Sequence, residues 1–549
     1  MNNVIRIHPN DNAVVALIDL HRGETVVFDT ENIIIKEKIP AKHKFALVPL
    51  REGDKVIMYG VLVGTTTEDI SKGALLSTAN IRHAASDFNI GERKIKWEKP
   101  DITGWENQTF NGYHRDDGSV GTANHWLVIP MVFCENRNVE ISQQAFVDQL
   151  GYGRSSSYQE QVRSLIALYQ NGCTIAEILN AEITGLTGAK VTSKLFPNVD
   201  GVKFLLHQGG CGGTRQDAQA LCGLLAGYIT NPNVAGATIL SLGCQNAQVS
   251  ILEKEISKRS PVFNKPLFIL DQQKTGSEAE LLSEAIKKTF AGLVIANENF
   301  RKPAPLSKLC IGLECGGLDG FSGISANPAI GYTSDLLVAL GGSVILSEFP
   351  ELCGVEQDLS DRCTTVENAV NFSNLIKAYS NRAEAAGSGF YMNPSPGNIK
   401  DGLITDAIKS AGAAKKGGTS PVVDVLDYPE KVNYPGLNLL CTPGNDVEST
   451  TAEVAAGANI VLFTTGLGTP TGNPVAPVIK IATNTALYMH MNDILDINSG
   501  TVIDGTETIA GVGSRILDYV IKVASGEIIV AAVKHGQDDF IPWKRGISL

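Results

Sequence analysis

From Phe110 to the C-terminus the chain repeats one pattern, and that pattern limits the folds open to it. Short apolar runs, "WLVIPMVFC", "VKFLLHQGG", "GATILSLGC", "PLFILDQQ", "KLCIGLECGG", "GSVILSEFPE", "LNLLCTPG" and "NIVLFTTG", alternate with helical stretches such as "SEAELLSEAIKKTFAGLVIANENF". A buried strand followed by a helix and another buried strand builds a parallel sheet, because the helix is the crossover that returns the chain to the same edge. The first 85 residues lack the alternation. "AVVALIDL", "TVVFDT", "NIIIKEKI", "FALVPL" and "KVIMYGVLVGTTT" are β-branched runs cut by "HRGE", "PAKHK" and "REGD", which predicts a small all-β unit. The charged, aperiodic stretch 86–109 reads as a linker. "RKPAPLSK" at 301–308 marks a boundary between two α/β units, 110–300 and 301–549. The expected fold is α/β: a small N-terminal all-β domain followed by two α/β domains with largely parallel sheets. A chain of 549 residues exceeds what one core supports, so several units are required.

Charge excludes some partners. Lys and Arg total 46 against 58 Asp and Glu, a net charge of −12. No basic stripe or arginine-rich arm is present, so nucleic acid is not an expected partner. No apolar run reaches the roughly 20 residues of a membrane span, and "MNNVIRIHPNDN" lacks the layout of a signal peptide. The ten cysteines never form a CxxC pair, the pattern of reduced thiols in a cytoplasmic protein. A small anionic substrate is compatible with the acidic balance if a local cationic pocket receives it.

Parallel α/β sheets bind ligands beyond the carboxyl ends of their strands. Cys134, Cys244 and Cys315 fall at or just past three predicted strand ends, Glu348 ends "SVILSE", and Glu351 follows one turn later. In "FLLHQGGCGGTRQDAQALCG" (204–223) a histidine and a cysteine flank a glycine turn. No Lys-Ser/Thr pair follows these glycines and GxGxxG is absent, so a nucleotide loop is not the reading. His207 and Cys211 read either as metal ligands or proton shuttles or as a satisfied histidine beside a small buried thiol. The strand-end cysteines carry the same two readings. Four polar, glycine-rich segments, "NPSPGN", "KKGGTSPVVD", "TPGND" and "TTGLGTPTGNP", offer the donors and acceptors a polyhydroxylated acid needs, with Lys415 and Lys416 as a carboxylate clamp; such residues also simply make turns.

Taken with "GYHRDDGSVGTANHW" (112–126), "GLECGGLDGFSGISANPAIG" (312–331), "PGND" (443–446) and "LFTTGLGTPTGNPVAPVIKIATN" (462–484), these segments give the chain a resemblance to the altronate/galactarate dehydratase family of sugar-acid hydro-lyases. The likeness runs over almost the whole chain, and the first 85 residues resemble that family's small β-clip, or SAF-type, domain. Departures exist. "STAN" (Ser77 to Asn80) stands where the family often writes His-Thr-His-Asn, with His43 kept and His83 nearby. Ala123 precedes Asn124 where the family tends to write Arg. "HQGGCGGTRQD" differs from the "HPYGC" form.

The resemblance implies loss of water from C2–C3 of an aldonic or aldaric acid, D-altronate first and galactarate second, giving a 2-keto-3-deoxy acid. It implies a divalent metal, iron(II) or else manganese(II), with His207, Cys211, Cys244, Cys315 and Glu348 as expected ligands. His207, Glu348 and Cys211 are the expected catalytic residues. Arg115 and Lys416 are expected to clamp the carboxylate. Asn124, Asn393, Ser395, Asn398, Thr419, Ser420, Asn445, Asp446, Thr464 and Thr465 complete the expected substrate contacts. A homodimer or larger homo-oligomer is also expected. A sulfite-eliminating lyase, a sugar-acid sensor and an iron–sulfur hydro-lyase built on the strand-end cysteines are the rival readings.

Overall fold

The computed structural model describes residues 3–28, 31–91, 93–153, 157–181 and 193–549. Asp29 and Thr30, at the end of the predicted strand "TVVFDT", and Glu92 of the predicted linker lie outside the described residues. The N-terminal unit is all-β. Its short strands form a four-stranded antiparallel sheet around Ala13–Ala16 and Lys44–Ala46, a hairpin of Thr25–Phe28 with Glu31–Ile34, and a three-stranded sheet containing Val61–Thr66 and Ile81–His83. Val14, Leu20, Ile33, Ile39 and Phe45 fill one small core. The described residues between His83 and Thr109 form no helix or strand and lie against the C-terminal unit, where Asn89 N–H donates to Gln357 and Lys94 N–H to Asp361.

Strand Thr109–His114 pairs antiparallel with Arg301–Pro305, so the two chain segments that open the α/β units are clipped together. Between them lie strands β1 (His125–Pro130), β2 (Gly201–Phe204), β3 (Val234–Ser241) and β4 (Leu267–Asp271), in the order β2-β1-β3-β4, all parallel. The final unit carries β5 (Cys310–Cys315), β6 (Ser343–Leu346), β7 (Val422–Leu426), β8 (Gly436–Leu440), β9 (Ile460–Thr465), β10 (Val478–Ala482) and β11 (Ile497–Asn498). Their order is β7-β8-β6-β5-β9-β10-β11, again all parallel. The expected α/β class with largely parallel sheets is what the chain adopts. Among the described residues no helix is long and apolar enough to cross a membrane.

Helices α1 (Arg215–Thr230) and α2 (Asp446–Ala456) join the two α/β units. Gly227 permits the close approach, since a Cβ there would stand 2.3 Å from the Ala455 carbonyl oxygen. Asn231 Nδ2 seals it by donating to the carbonyls of Val454 and Ala458. The large core runs continuously from Leu127 and Ile129 of β1 through Leu224 and Ile229 to Leu313, Leu346 and Phe463.

The order of the larger sheet has a consequence for function. The chain leaves β5 to β6 on one side and later returns to place β9 on the other. Such a reversal point, beyond the carboxyl ends of β5, β6 and β9, is where doubly wound sheets bind ligands.

Candidate active site

Cys315 is the last residue of β5, and after β6 Glu348 precedes the 3-10 turn Phe349–Leu352 that carries Glu351. Glu348 has φ +60°, a left-handed conformation uncommon for a residue with a Cβ. Its backbone N–H donates to Thr442 Oγ1 at 2.8 Å, which fixes the turn on the segment after β8. Helix α3 (Asp406–Ala413) and the turn after it bring in Lys409 and Lys416.

These side chains form one network. Lys416 Nζ donates to Cys315 Sγ at 2.8 Å and forms an ion pair with Glu348 Oε2. The Cys315 thiol lies 3.4 Å from Glu348 Oε2 and 3.5 Å from Glu351 Oε2. Lys409 Nζ pairs with Glu351 Oε1 at 2.6 Å and donates to Asn393 Oδ1 at 2.8 Å. Asn393 Nδ2 reaches back to Glu351 at 3.5 Å. Two buried lysine–glutamate pairs thus flank one thiol. Isolated buried charges are strongly disfavoured, which is why these occur as pairs.

More carboxyl groups crowd in behind. Ligand-type oxygens of Glu314, Glu348 and Asp446 lie within 4.8 Å of one another. Both oxygens of Glu314 and Glu348 Oε1 find no hydrogen-bond donor. Burial, reinforced by Glu348 and Glu453, holds the Glu314 carboxyl far above the usual range. Burial also raises Glu348, with Lys416 opposing and Glu351 adding to the rise. Asp446 is pushed up to about 7 by burial and by the two glutamates. Burial and Glu348 keep Cys315 a neutral thiol. Burial alone would lower Lys416, but the negative charge around it, that of Glu348 among the carboxylates, more than reverses this. Gly316 makes room for Asp446, because a Cβ there would fall 2.0 Å from Asp446 Oδ2. Glu453 Oε1 accepts from Leu313 N–H and Ser347 Oγ and ties β5 to β6 beneath the site.

The N-terminal unit closes one side. Lys42 Nζ stands 3.0 Å from Asp319 Oδ2 and 3.3 Å from Asp401 Oδ1. Lys44 Nζ donates to the Gly402 carbonyl at 2.6 Å. Asn484, after β10, donates to the same Asp319. The loop Gly316–Asp319 is therefore held from both sides.

Several expected site residues lie elsewhere. The ligand set predicted over His207, Cys211, Cys244, Cys315 and Glu348 is divided: no cluster of ligand-type groups among the described residues contains His207, Cys211 or Cys244. His207 Nε2–H donates to the Pro130 carbonyl at 2.6 Å and Nδ1 accepts from Gly209 N–H at 3.1 Å. Both ring nitrogens are thus committed to backbone, and burial pulls the imidazole down to about 4. This is the satisfied-histidine reading, and it removes His207 as base or ligand in this geometry. Cys211 is exposed and lines, with His207, a cleft of about 610 Å³ walled by Phe540–Lys544. Cys134 and Cys244 are exposed, and Cys134 lies in a one-turn 3-10 helix rather than at the strand end.

Arg115 and Asn124 lie at the opposite rim. Asn124 precedes β1, and its Nδ2 is spent on the carbonyls of Asn198 and Ala296. Arg115 donates to Pro232 O and Asn124 Oδ1. Thr419 and Ser420 precede β7, so they sit at an amino end; their N–H groups bind Asp335. Ser395 and Asn398 form a capping box, and Asn398 Nδ2 anchors the Leu318 carbonyl at 2.7 Å. Asn445 caps α2. Thr464 Oγ1 donates to Asn327, and Thr465 Oγ1 accepts three loop N–H groups. These residues build the walls. Of the expected set, Cys315, Glu348, Lys416, Asn393 and Asp446 converge on the network.

Lys409, Glu314 and Glu453 were not anticipated. Lys409 was legible, since Lys409 and Lys416 are seven apart in "IKSAGAAKK", the spacing of one helical face, although α3 ends at Ala413 and Lys416 enters on the turn after it. Glu314 reads as an interior strand residue, and nothing local marks it.

Comparisons with known proteins agree with this architecture. Residues 2–84 match the family described as altronate/galactarate dehydratase SAF domain, residues 112–297 match D-galactarate dehydratase/altronate hydrolase, second domain, and residues 306–548 match D-galactarate/altronate dehydratase, C-terminal. Altronate dehydratase of Bacillus subtilis (strain 168) is 34% identical over the full length of both chains. Altronate dehydratase of Escherichia coli (strain K12) is 34% identical over 95% of each chain. Galactarate dehydratase (L-threo-forming) of the same organism is 30% identical, covering 95% of this chain and 93% of that one. With all three of its units matched and relatives aligned end to end, the chain belongs to the altronate/galactarate dehydratase family of hydro-lyases.

Proposed function

We propose that this protein removes water from a six-carbon sugar acid, with D-altronate as substrate and 2-dehydro-3-deoxy-D-gluconate as product, at the Cys315–Glu348–Lys416 network. The observation that carries the reading is the pair of buried lysine–glutamate ion pairs around one thiol at the sheet's reversal point. A proton alpha to a carboxylate is weakly acidic, and its removal needs positive charge beside the carboxylate and a base at C2. Lys409 and Lys416 supply that charge. Glu348 takes the C2 proton, and the C3–O bond breaks. Asp446, pushed up to about 7, holds a proton near neutrality and gives it to the departing hydroxyl. The enol left behind becomes the 2-keto-3-deoxy acid. Asn393 and Asp446, both only partly buried, mark the side from which substrate enters.

The donor set also fits a divalent ion, iron(II) first and manganese(II) second. Glu348, Glu314 and Asp446 present buried oxygens, three of which lack donors, and oxygen-rich sets suit such ions. Held by the donor-free oxygens of Glu314 and Glu348 Oε1, the ion would supply Lewis acidity toward the substrate carboxylate and its neighbouring hydroxyl, while Glu348 Oε2 and Asp446 keep the proton-transfer roles. The same reading keeps the protein cytoplasmic and self-associated as a homodimer or larger homo-oligomer, which light scattering would measure.

The test is turnover of a panel of aldonic and aldaric acids by anaerobic, iron(II)-loaded protein, read as 2-keto-3-deoxy acid. Turnover of altronate supports the proposal, and turnover of galactarate alone moves the substrate. No keto acid from any of them refutes the reaction.

A further inference from the structure

A second cluster lies where the N-terminal unit meets the C-terminal one. His83 ends the strand Ile81–His83, Cys353 follows the Glu348–Leu352 turn, and Asp406 opens α3. A ring nitrogen of His83, Cys353 Sγ and a carboxylate oxygen of Asp406 all lie within 4.8 Å of one another. The three segments are packed closely, since a Cβ at Gly354 would lie 3.4 Å from Ala407 Cβ and 3.5 Å from Ala85 Cβ. Asp406 is fully buried, and its Oδ2 receives no hydrogen bond. The carboxyl is otherwise met by Ser410 Oγ, 3.4 Å from its other oxygen, and by the Cys353 thiol. The single lysine on α3, Lys409, is committed to Glu351 and Asn393. A buried carboxylate with a bare oxygen requires a proton or a cation.

We propose that His83, Cys353 and Asp406 form a binding site for a borderline-soft divalent ion, zinc(II) by ligand type, that joins the N-terminal domain to the back of the active site. Imidazole, thiolate and carboxylate together are the donors such an ion selects, and three protein ligands leave a fourth position for water. The site is separate from the network around Cys315 and shares no ligand with it. Its place in the chain gives it a structural role. Cys353 lies two residues beyond Glu351 and Asp406 lies three before Lys409, so an ion there fixes both ends of the Lys409–Glu351 pair. On the N-terminal side it adds to the contacts that Ala407 N–H makes with His83 Nδ1 and Thr405 Oγ1 with the Val63 carbonyl. The reading is independent of which sugar acid the enzyme dehydrates.

The test is cobalt(II) titration of the full-length, chelator-stripped protein. One equivalent should give a sulfur-to-cobalt charge-transfer band that zinc(II) bleaches. Cys353→Ser should lose the band and Cys315→Ser should keep it, while His83→Asn and Asp406→Asn weaken binding by about tenfold or more. Absence of the band in the wild-type protein, its survival in Cys353→Ser, or its loss in Cys315→Ser overturns the site. Should serine at 353 unfold the chain, alkylation of Cys353 by iodoacetamide in the wild-type protein decides the matter. Zinc(II) should protect that cysteine, read on its own peptide by mass spectrometry, and equal labelling with and without zinc overturns the proposal.

Discussion

Replacing Lys416 by methionine removes one charge from a place where the structure leaves little to take its role. The Lys416 and Glu348 side chains are each 1% exposed. Without the ammonium group, Glu348 keeps Glu314, Glu351 and Asp446 as neighbours, and Lys409 is the remaining cation, already paired with Glu351. Removing one partner of a buried pair costs about 3–5 kcal/mol, because the other charge stays behind. Methionine fills most of the lysine volume, so the loss is electrostatic rather than a cavity. Glu348 escapes part of the penalty by taking a proton, so the loss should be smaller at low pH and grow as pH rises. Adding Glu348→Gln removes the stranded charge and should recover stability, with a coupling of about 0.5–3 kcal/mol between the two sites. Native-state hydrogen exchange at the amides of β5 and β6 reports this local stability without requiring the whole chain to unfold in one step. A Lys416→Met loss under about 1 kcal/mol, or a double variant as unstable as the sum of the singles, would refute the buried ion pair.

Four further outcomes follow from the geometry. Asp446 and Glu453 are raised, to about 7 and about 8, mainly by burial, so the folded chain holds protons that the unfolded chain releases near pH 4; stability should fall as pH rises from about 4 to about 8, and Asp446→Asn should flatten the part ending near 7 in pH-dependent melting curves. Lys44 is lowered to about 7 by burial, with Asp319 opposing. The folded state then binds fewer protons than the unfolded one between about 7 and 10.4, docking of the N-terminal domain should strengthen as pH rises through that window, and limited proteolysis of Lys44→Met should show no such trend. Gly316→Ala places a methyl group against Asp446 and should reduce kcat while melting changes by only about 1–3 kcal/mol; unchanged turnover would remove Asp446 from the reaction. Gly227→Leu should separate α1 from α2 at a cost of about 1–3 kcal/mol or more, seen as faster exchange on both helices.

The fold was legible because its signal is local and repeated. Each apolar run such as "ATILSL" or "NIVLFTT" carries its own strand information, and alternation with helices dictates parallel pairing. Strands β7 and β10 were harder to see, since "VVDVL" and "VIKIA" are short and sit inside segments that read as polar loops. Thr419 and Ser420, expected among the substrate contacts, precede β7 and so sit at an amino end. The site was legible where a residue ends a strand next to the sheet reversal, as Cys315 and Glu348 do. It was not legible where equivalent strand-end positions belong to a different sheet. His207 and Cys244 have similar local surroundings in sequence, but they follow β2 and β3 of the smaller sheet, and only strand order separates the two cases. Lys409 and Glu314 join the network through tertiary packing, which no single segment encodes.

In the proposed reaction Glu348, and not His207, carries proton transfer. Turnover of altronate by iron(II)-loaded Glu348→Gln and His207→Ala, measured side by side with wild-type protein, tests it most directly. A positioned general base contributes on the order of 10²–10⁴-fold. Glu348→Gln should lose activity of that order while His207→Ala, whose ring nitrogens serve the backbone of Pro130 and Gly209, keeps kcat within a few-fold of wild type. Near wild-type kcat in Glu348→Gln, with the large loss in His207→Ala, would rule out Glu348 as the base and move the chemistry to the cleft beside Cys211.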